Sequence, residues 1–112
     1  MLARLLVARH GPDATGEVWN LDQVKEQLDN LVAAGNKPVV ILNFDYGRPV
    51  AVLEGTTLDN DGLYADVDVR DEIVQGVIEA EGPEMFRASY VAMDGTVVTC
   101  SMISRETSLW PT

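Results

Sequence analysis

The sequence predicts an α+β fold in a single domain over residues 1–112, an antiparallel β-sheet curled toward a small barrel with two flanking helices. Three observations point there. Leu21, Val24, Leu28, Leu31 and Val32 recur at helical spacing. Leu63 to Val69 alternates strictly, with Asp66 and Asp68 on one face. Asn60-Asp61-Gly62 and Asp94-Gly95 carry the positive-φ chemistry of tight turns that return one strand antiparallel to the last.

The elements follow in order. Leu2 to His10 is an apolar, partly β-branched run stopped at Gly11-Pro12, and reads as a strand. After the polar stretch Asp13 to Glu17, Asn20 can cap a helix from Leu21 to about Ala34, with Gln23 at capping-box spacing and Trp19 and Val24 at staple spacing. Gly35 stops it. Pro38 to Asn43 is a near-continuous apolar run, the composition of a central strand buried on both faces, with Val40 and Leu42 expected deep in the core. Asp45-Tyr46-Gly47 reads as the turn into a strand from Arg48 to Leu58, in which Gly55 marks a bulge. Asp71 opens a second helix through about Ala80, with Ile73, Val74, Val77 and Ile78 on one side and Glu81-Gly82-Pro83 ending it. Phe86 to Met93 and Thr96 to Ser104 form a hairpin, and a last extended piece runs to Trp110 before Pro111.

Eighteen acidic against eight basic side chains give a net charge of −10, which repels a phosphate backbone and argues against direct nucleic-acid binding. No apolar run approaches the roughly 20 residues that span a bilayer, and the start has no leader pattern, so the chain is expected to be soluble and to act where it is made. Cys100 is the only cysteine and His10 the only histidine, too few for a structural zinc site of the usual Cys and His type. Neither a cofactor nor a metal is expected. Asp59 and Asp61, like Asp66 and Asp68, lack the twelve-residue loop of a calcium-binding hand and read as solvated acids. Trp19, Tyr46, Phe86, Tyr90 and Trp110 read as core or rim, with Trp110 either folded back over the core or offered to a partner.

Taken in order, Gly16-Glu17-Val18-Trp19, a helix, PVVILNFDYG, DNDGLYADVDV, FRASYVAMDG and ISRETSLWPT resemble the phage prohead (capsid maturation) serine proteases and the related protease-scaffold proteins of Mu-like phages. The resemblance covers roughly residues 16–112. It implies a nucleophile position at Ser89 and an acidic position near Glu106, and it puts Phe44 where the family carries its histidine. A phenyl ring can neither accept nor relay a proton, so these three positions are read as vestigial, with no catalytic residue. Ala88 also stands where the family tends to have glycine. His10 is the only other candidate base, and the sequence gives it no partner to set its tautomer. The resemblance therefore implies a non-enzymatic head protein, made in the host cytoplasm and carried in the virion. Such a protein decorates or reinforces the capsid, with the major capsid protein as partner and homo-oligomerisation left open. A divergent maturation protease using Ser89 and His10, and an inactive internal scaffold factor, are the alternatives.

Overall fold

The computed structural model describes residues 1–13, 15–35 and 37–110. Its elements are β1 (Leu2–Arg9), α1 (Leu21–Ala33), β2 (Val39–Leu42), β3 (Asp45–Leu58), β4 (Gly62–Val69), α2 (Glu72–Glu81), a 3-10 turn (Pro83–Met85), β5 (Phe86–Met93) and β6 (Thr96–Ser104). The strands form one curled sheet in the order β1-β4-β3-β2-β6-β5. The α+β class and the curl agree with the sequence reading. The expectation of a wholly antiparallel sheet is corrected, because β2 and β6 run parallel, pairing Ile41 with Ser101 and Leu42 with Met102. The reason is physical. Turn residues dictate hairpins between chain neighbours, whereas the docking of the β5–β6 hairpin on β2 joins segments some sixty residues apart and leaves no local signature.

The hairpins sit where turn chemistry put them. Asp94 and Gly95 both have positive φ, 52° and 78°, between β5 and β6. The Asp59 N–H donates to the Gly62 carbonyl in the β3–β4 loop, and the register of that pair shifts between Leu53 and Gly55, the bulge expected there. The β2–β3 turn differs from expectation: it lies at Asn43 and Phe44, and the excess residues 46–48 bulge from the start of β3.

Helix α1 begins at Asn20, whose side chain accepts the Gln23 N–H at 3.1 Å. The helix packs on β3, β6 and β4, and its buried Leu21 and Leu28 join a core that includes Leu5, Val40, Leu53, Val67, Cys100 and Met102. A polar clasp also holds it. The Lys25 ammonium donates to Asp29 and to Thr56 of β3, and Thr56 Oγ1 donates to Asp29 at 2.6 Å. Helix α2 is capped by Asp71, which accepts the Val74 N–H at 2.9 Å. Its apolar side is narrower than expected: Val74 is buried and Val77 and Ile78 partly so, while Ile73 is exposed, since one residue turns the helix by about 100°.

Val40 is fully buried in the central strand as expected, but its buried neighbour is Ile41 and not Leu42, which is half-buried where the strand ends. Residues 104–110 form two successive turns and not an extended piece, with the Thr107 N–H on the Ser104 carbonyl and the Trp110 N–H on the Thr107 carbonyl. Pro111 lies outside the described residues.

The sheet curls until its two edges, β1 and β5, meet. No ladder joins them. Instead Arg87 Nη2 of β5 donates to the Val7 carbonyl of β1 at 3.2 Å, which occupies one of the backbone acceptors that an edge strand leaves free. The loop after β1 spans the same seam, since Trp19 stacks edge-on against Tyr90 of β5 with ring centroids 5.5 Å apart. Asp13 fixes this loop by accepting from Thr15, Glu17 and Trp19 Nε1. Those hydrogen bonds, the Thr15 hydroxyl first, hold its carboxyl down to about 2.

Two outcomes test this core. Leu53→Ala should cost about 2–5 kcal/mol in urea denaturation, because a fully buried side chain leaves a cavity, and Leu42→Ala should cost clearly less. Burial pushes the Cys100 thiol up to about 12, so a thiol reagent such as DTNB at pH 8 should leave the folded protein unmodified and label one cysteine once urea unfolds it.

Candidate functional site

Of the three positions singled out by the resemblance, Phe44 and Ser89 lie near the β2–β6 junction and Glu106 does not. Asn43 and Phe44 form a two-residue turn with φ of 52° and 58°, so both lie in the left-handed region. Asparagine tolerates that region because its side chain bonds locally, but for a bulky side chain such as phenylalanine it is rare and costs about 1–2 kcal/mol. Three hydrogen bonds to β6 impose it. The Asn43 N–H donates to the Met102 carbonyl at 2.7 Å, the Ser104 N–H donates to Asn43 Oδ1 at 2.9 Å, and the Phe44 N–H donates to Ser101 Oγ at 2.8 Å. The Phe44 ring is 40% exposed.

Ser101, fully buried, links this turn to Ser89, because the two serines face each other in the β5–β6 ladder. Phe44 and Ser89 are thus brought to the same region through Ser101. Ser89 is half-buried, and its hydroxyl makes one hydrogen bond among the described residues, a long one of 3.4 Å donated to the carbonyl of the adjacent Tyr90. Glu106 is placed apart from them. It is exposed in the turn after β6, where its N–H donates to Ser104 Oγ at 3.4 Å. His10 lies at the β3–β4 loop, its Nε2 2.8 Å from the Asp59 carbonyl. Among the described residues, no imidazole or carboxylate hydrogen-bonds Ser89. A serine hydroxyl becomes a nucleophile only when a base in hydrogen-bond reach takes its proton.

The paired aspartates are placed as the alternation required, but they are not bare. Asp66 accepts from Arg4 Nε at 2.9 Å and from Thr57 Oγ1 at 2.7 Å, and Asp68 accepts from the Met1 amino group and Arg70. The Met1 amino group and then Arg70 lower the Asp68 carboxyl below its ordinary range. Among the described residues, no group of three acids, histidines or cysteines is placed to hold a metal ion, and no helix is long and apolar enough to cross a membrane. Trp110 is half-buried, with Arg105 over its ring at 5.9 Å. The exposed aromatics are instead Phe44 and Tyr46, both on the β2–β3 hairpin.

Sequence reasoning missed Ser101 as the acceptor that holds the turn, and no pattern in the sequence marks it. Asn43 was legible in principle, since asparagine favours left-handed turn positions. No protein-family model, curated protein or solved structure matches the chain.

The turn is testable by stability. Ser101→Ala should cost about 1–3 kcal/mol, the price of leaving the Phe44 N–H without its acceptor. Phe44→Gly should leave stability within about 1 kcal/mol of the parent, because relief at a left-handed position offsets the loss of a partly exposed ring. A fall beyond about 2 kcal/mol in urea titrations would show that the ring is held in the core.

Proposed function

We propose that the chain is a non-enzymatic phage head protein, a capsid decoration or minor capsid protein that attaches to the major capsid protein and stabilises the lattice. The observation that carries this reading is Phe44, a phenyl ring at the position where the resembled prohead proteases hold their histidine. The surroundings of Ser89 support it, because its hydroxyl is directed at the neighbouring carbonyl and has no base in hydrogen-bond reach among the described residues. A protease scaffold without its base is left with binding. The β2–β3 hairpin end supplies the anchor, where Phe44 and Tyr46 are 40% and 63% exposed; aromatic side chains of this kind dominate protein interfaces energetically. The acidic surface suits a protein that remains soluble before it meets its particle and avoids the packaged genome.

The test is the protein composition of purified particles from a phage that encodes the chain. It should be present, uncleaved and at structural copy number in mature heads. Phe44→Ala and Tyr46→Ala should reduce its retention, and Ser89→Ala should leave retention and head assembly unchanged. Cleavage of capsid or scaffold protein by the purified chain, lost in both Ser89→Ala and His10→Ala, would replace this reading with a divergent maturation protease. Loss of the chain from mature heads would replace it with a transient scaffold factor.

A further inference from the structure

The β1–β5 seam opens into a cleft of about 490 Å³ whose lining includes Arg4, Arg9, Arg87 and Arg105. Half of the eight basic side chains of a chain with net charge −10 therefore converge on one concavity. Acids outnumber bases 18 to 8, so most cations in such a protein should find a carboxylate. Outside the cleft three of the four do: Lys25, Lys37 and Arg70 are ion-paired, and Arg48 alone forms no salt bridge among the described residues. In the cleft only Arg4 is ion-paired, with Asp66, while Arg9, Arg87 and Arg105 form no salt bridge among the described residues. Among the described residues the lining contributes a single carboxylate side chain, that of Glu84.

Arg87 is the most buried of the four. Its Nη2 is spent on the Val7 carbonyl, and its Nε is buried without a partner among the described residues. Burial first, and then repulsion from Arg9, lower its pKa, so both the desolvation and the like charge stand uncompensated in the free chain. A bound anion would relieve both. Tyr64, Phe86 and Trp110 also line the cleft, with Trp110 already under the Arg105 guanidinium, and these rings provide an apolar wall beside the cations.

We propose that this cleft binds a carboxylate-rich peptide segment of a partner protein, with the arginines taking its acidic side chains and the aromatic wall an adjacent apolar one. Arginine forks match carboxylates geometrically. The volume suits a few side chains of a short segment. A nucleic-acid strand fits poorly, because a polyphosphate needs a continuous basic track and here the remaining basic residues, Lys25, Lys37, Arg48 and Arg70, lie outside the cleft. The proposal is independent of the phage-head reading, since it depends on the cleft and not on which particle or assembly supplies the segment.

The experiment titrates the purified chain with the peptide acetyl-Asp-Phe-Glu-Glu-amide. Arginine Nε–H resonances are followed by NMR and affinity by calorimetry. The controls are the Asn-Phe-Gln-Gln counterpart, inorganic phosphate and a short oligothymidine. The acidic peptide should bind saturably, shift the Arg87 and Arg105 resonances, and weaken as salt is raised. Arg9→Gln and Arg105→Gln should each weaken it by about tenfold, the worth of one charge-assisted hydrogen bond. These two variants leave the Arg87–Val7 contact in place, so a folding defect at Arg87 cannot mask the result. Equal binding of the neutral peptide, tighter binding of phosphate or oligothymidine, or undiminished binding in both variants would overturn the proposal.

Discussion

The short parallel junction between β2 and β6 is the constraint on which the rest of the molecule depends. It joins a four-strand half, β1-β4-β3-β2, to the β6-β5 hairpin across only two register pairs. A ladder that short is weak by itself, and parallel pairing is slightly less stable per residue than antiparallel. Side chains reinforce it. Thr99 Oγ1 donates to the Val39 carbonyl, Ser101 Oγ accepts the Phe44 N–H, and Asn43 Oδ1 accepts the Ser104 N–H. These are polar groups in or beside the core, where an unpaired partner would be costly. They therefore specify one docking register for the hairpin, and slippage by a residue would strand several of them at once.

From that register the curl follows. With β6 beside β2, β5 becomes the far edge and the sheet bends until β5 meets β1. The fold does not complete the barrel with backbone hydrogen bonds; it uses Arg87, whose long side chain crosses to the Val7 carbonyl. A guanidinium in that place brings charge to a seam that a closed ladder would have left neutral. The meeting of the two edges also sets Arg4 and Arg9 of β1 beside Arg87 and Arg105, which are distant from them in sequence, around one cleft. The incomplete closure and the concentration of positive charge thus have a common origin.

The same junction governs where Phe44 and Ser89 lie. It holds Phe44 in a left-handed turn next to Ser101 and so brings it to the neighbourhood of Ser89. Glu106 and His10 are carried elsewhere by the turn after β6 and by the end of β1. Backbone strain of this kind persists only where the surroundings over-determine it. Here the hydrogen bonds to β6 do so, and their product is an aromatic side chain presented on a rigid hairpin.

Periodicity and turn chemistry in the sequence determined α1 with its Asn20 cap, α2 with its Asp71 cap, the Asp94-Gly95 hairpin and the Gly55 bulge, because each depends on residues within a few positions of one another. Composition determined the dominance of acidic charge and marked the apolar run around Val40 as a buried strand. Tertiary structure decided the parallel β2–β6 pairing, the burial of Ile41 over Leu42, the exposure of Ile73, the shift of the turn to Asn43 and Phe44, and the meeting of four arginines at the seam. Each of these depends on which distant segment arrives beside a residue. Local propensity carries no term for that arrival, since the free energy that settles it comes from non-local packing and from hydrogen bonds that exist only once the hairpin has docked.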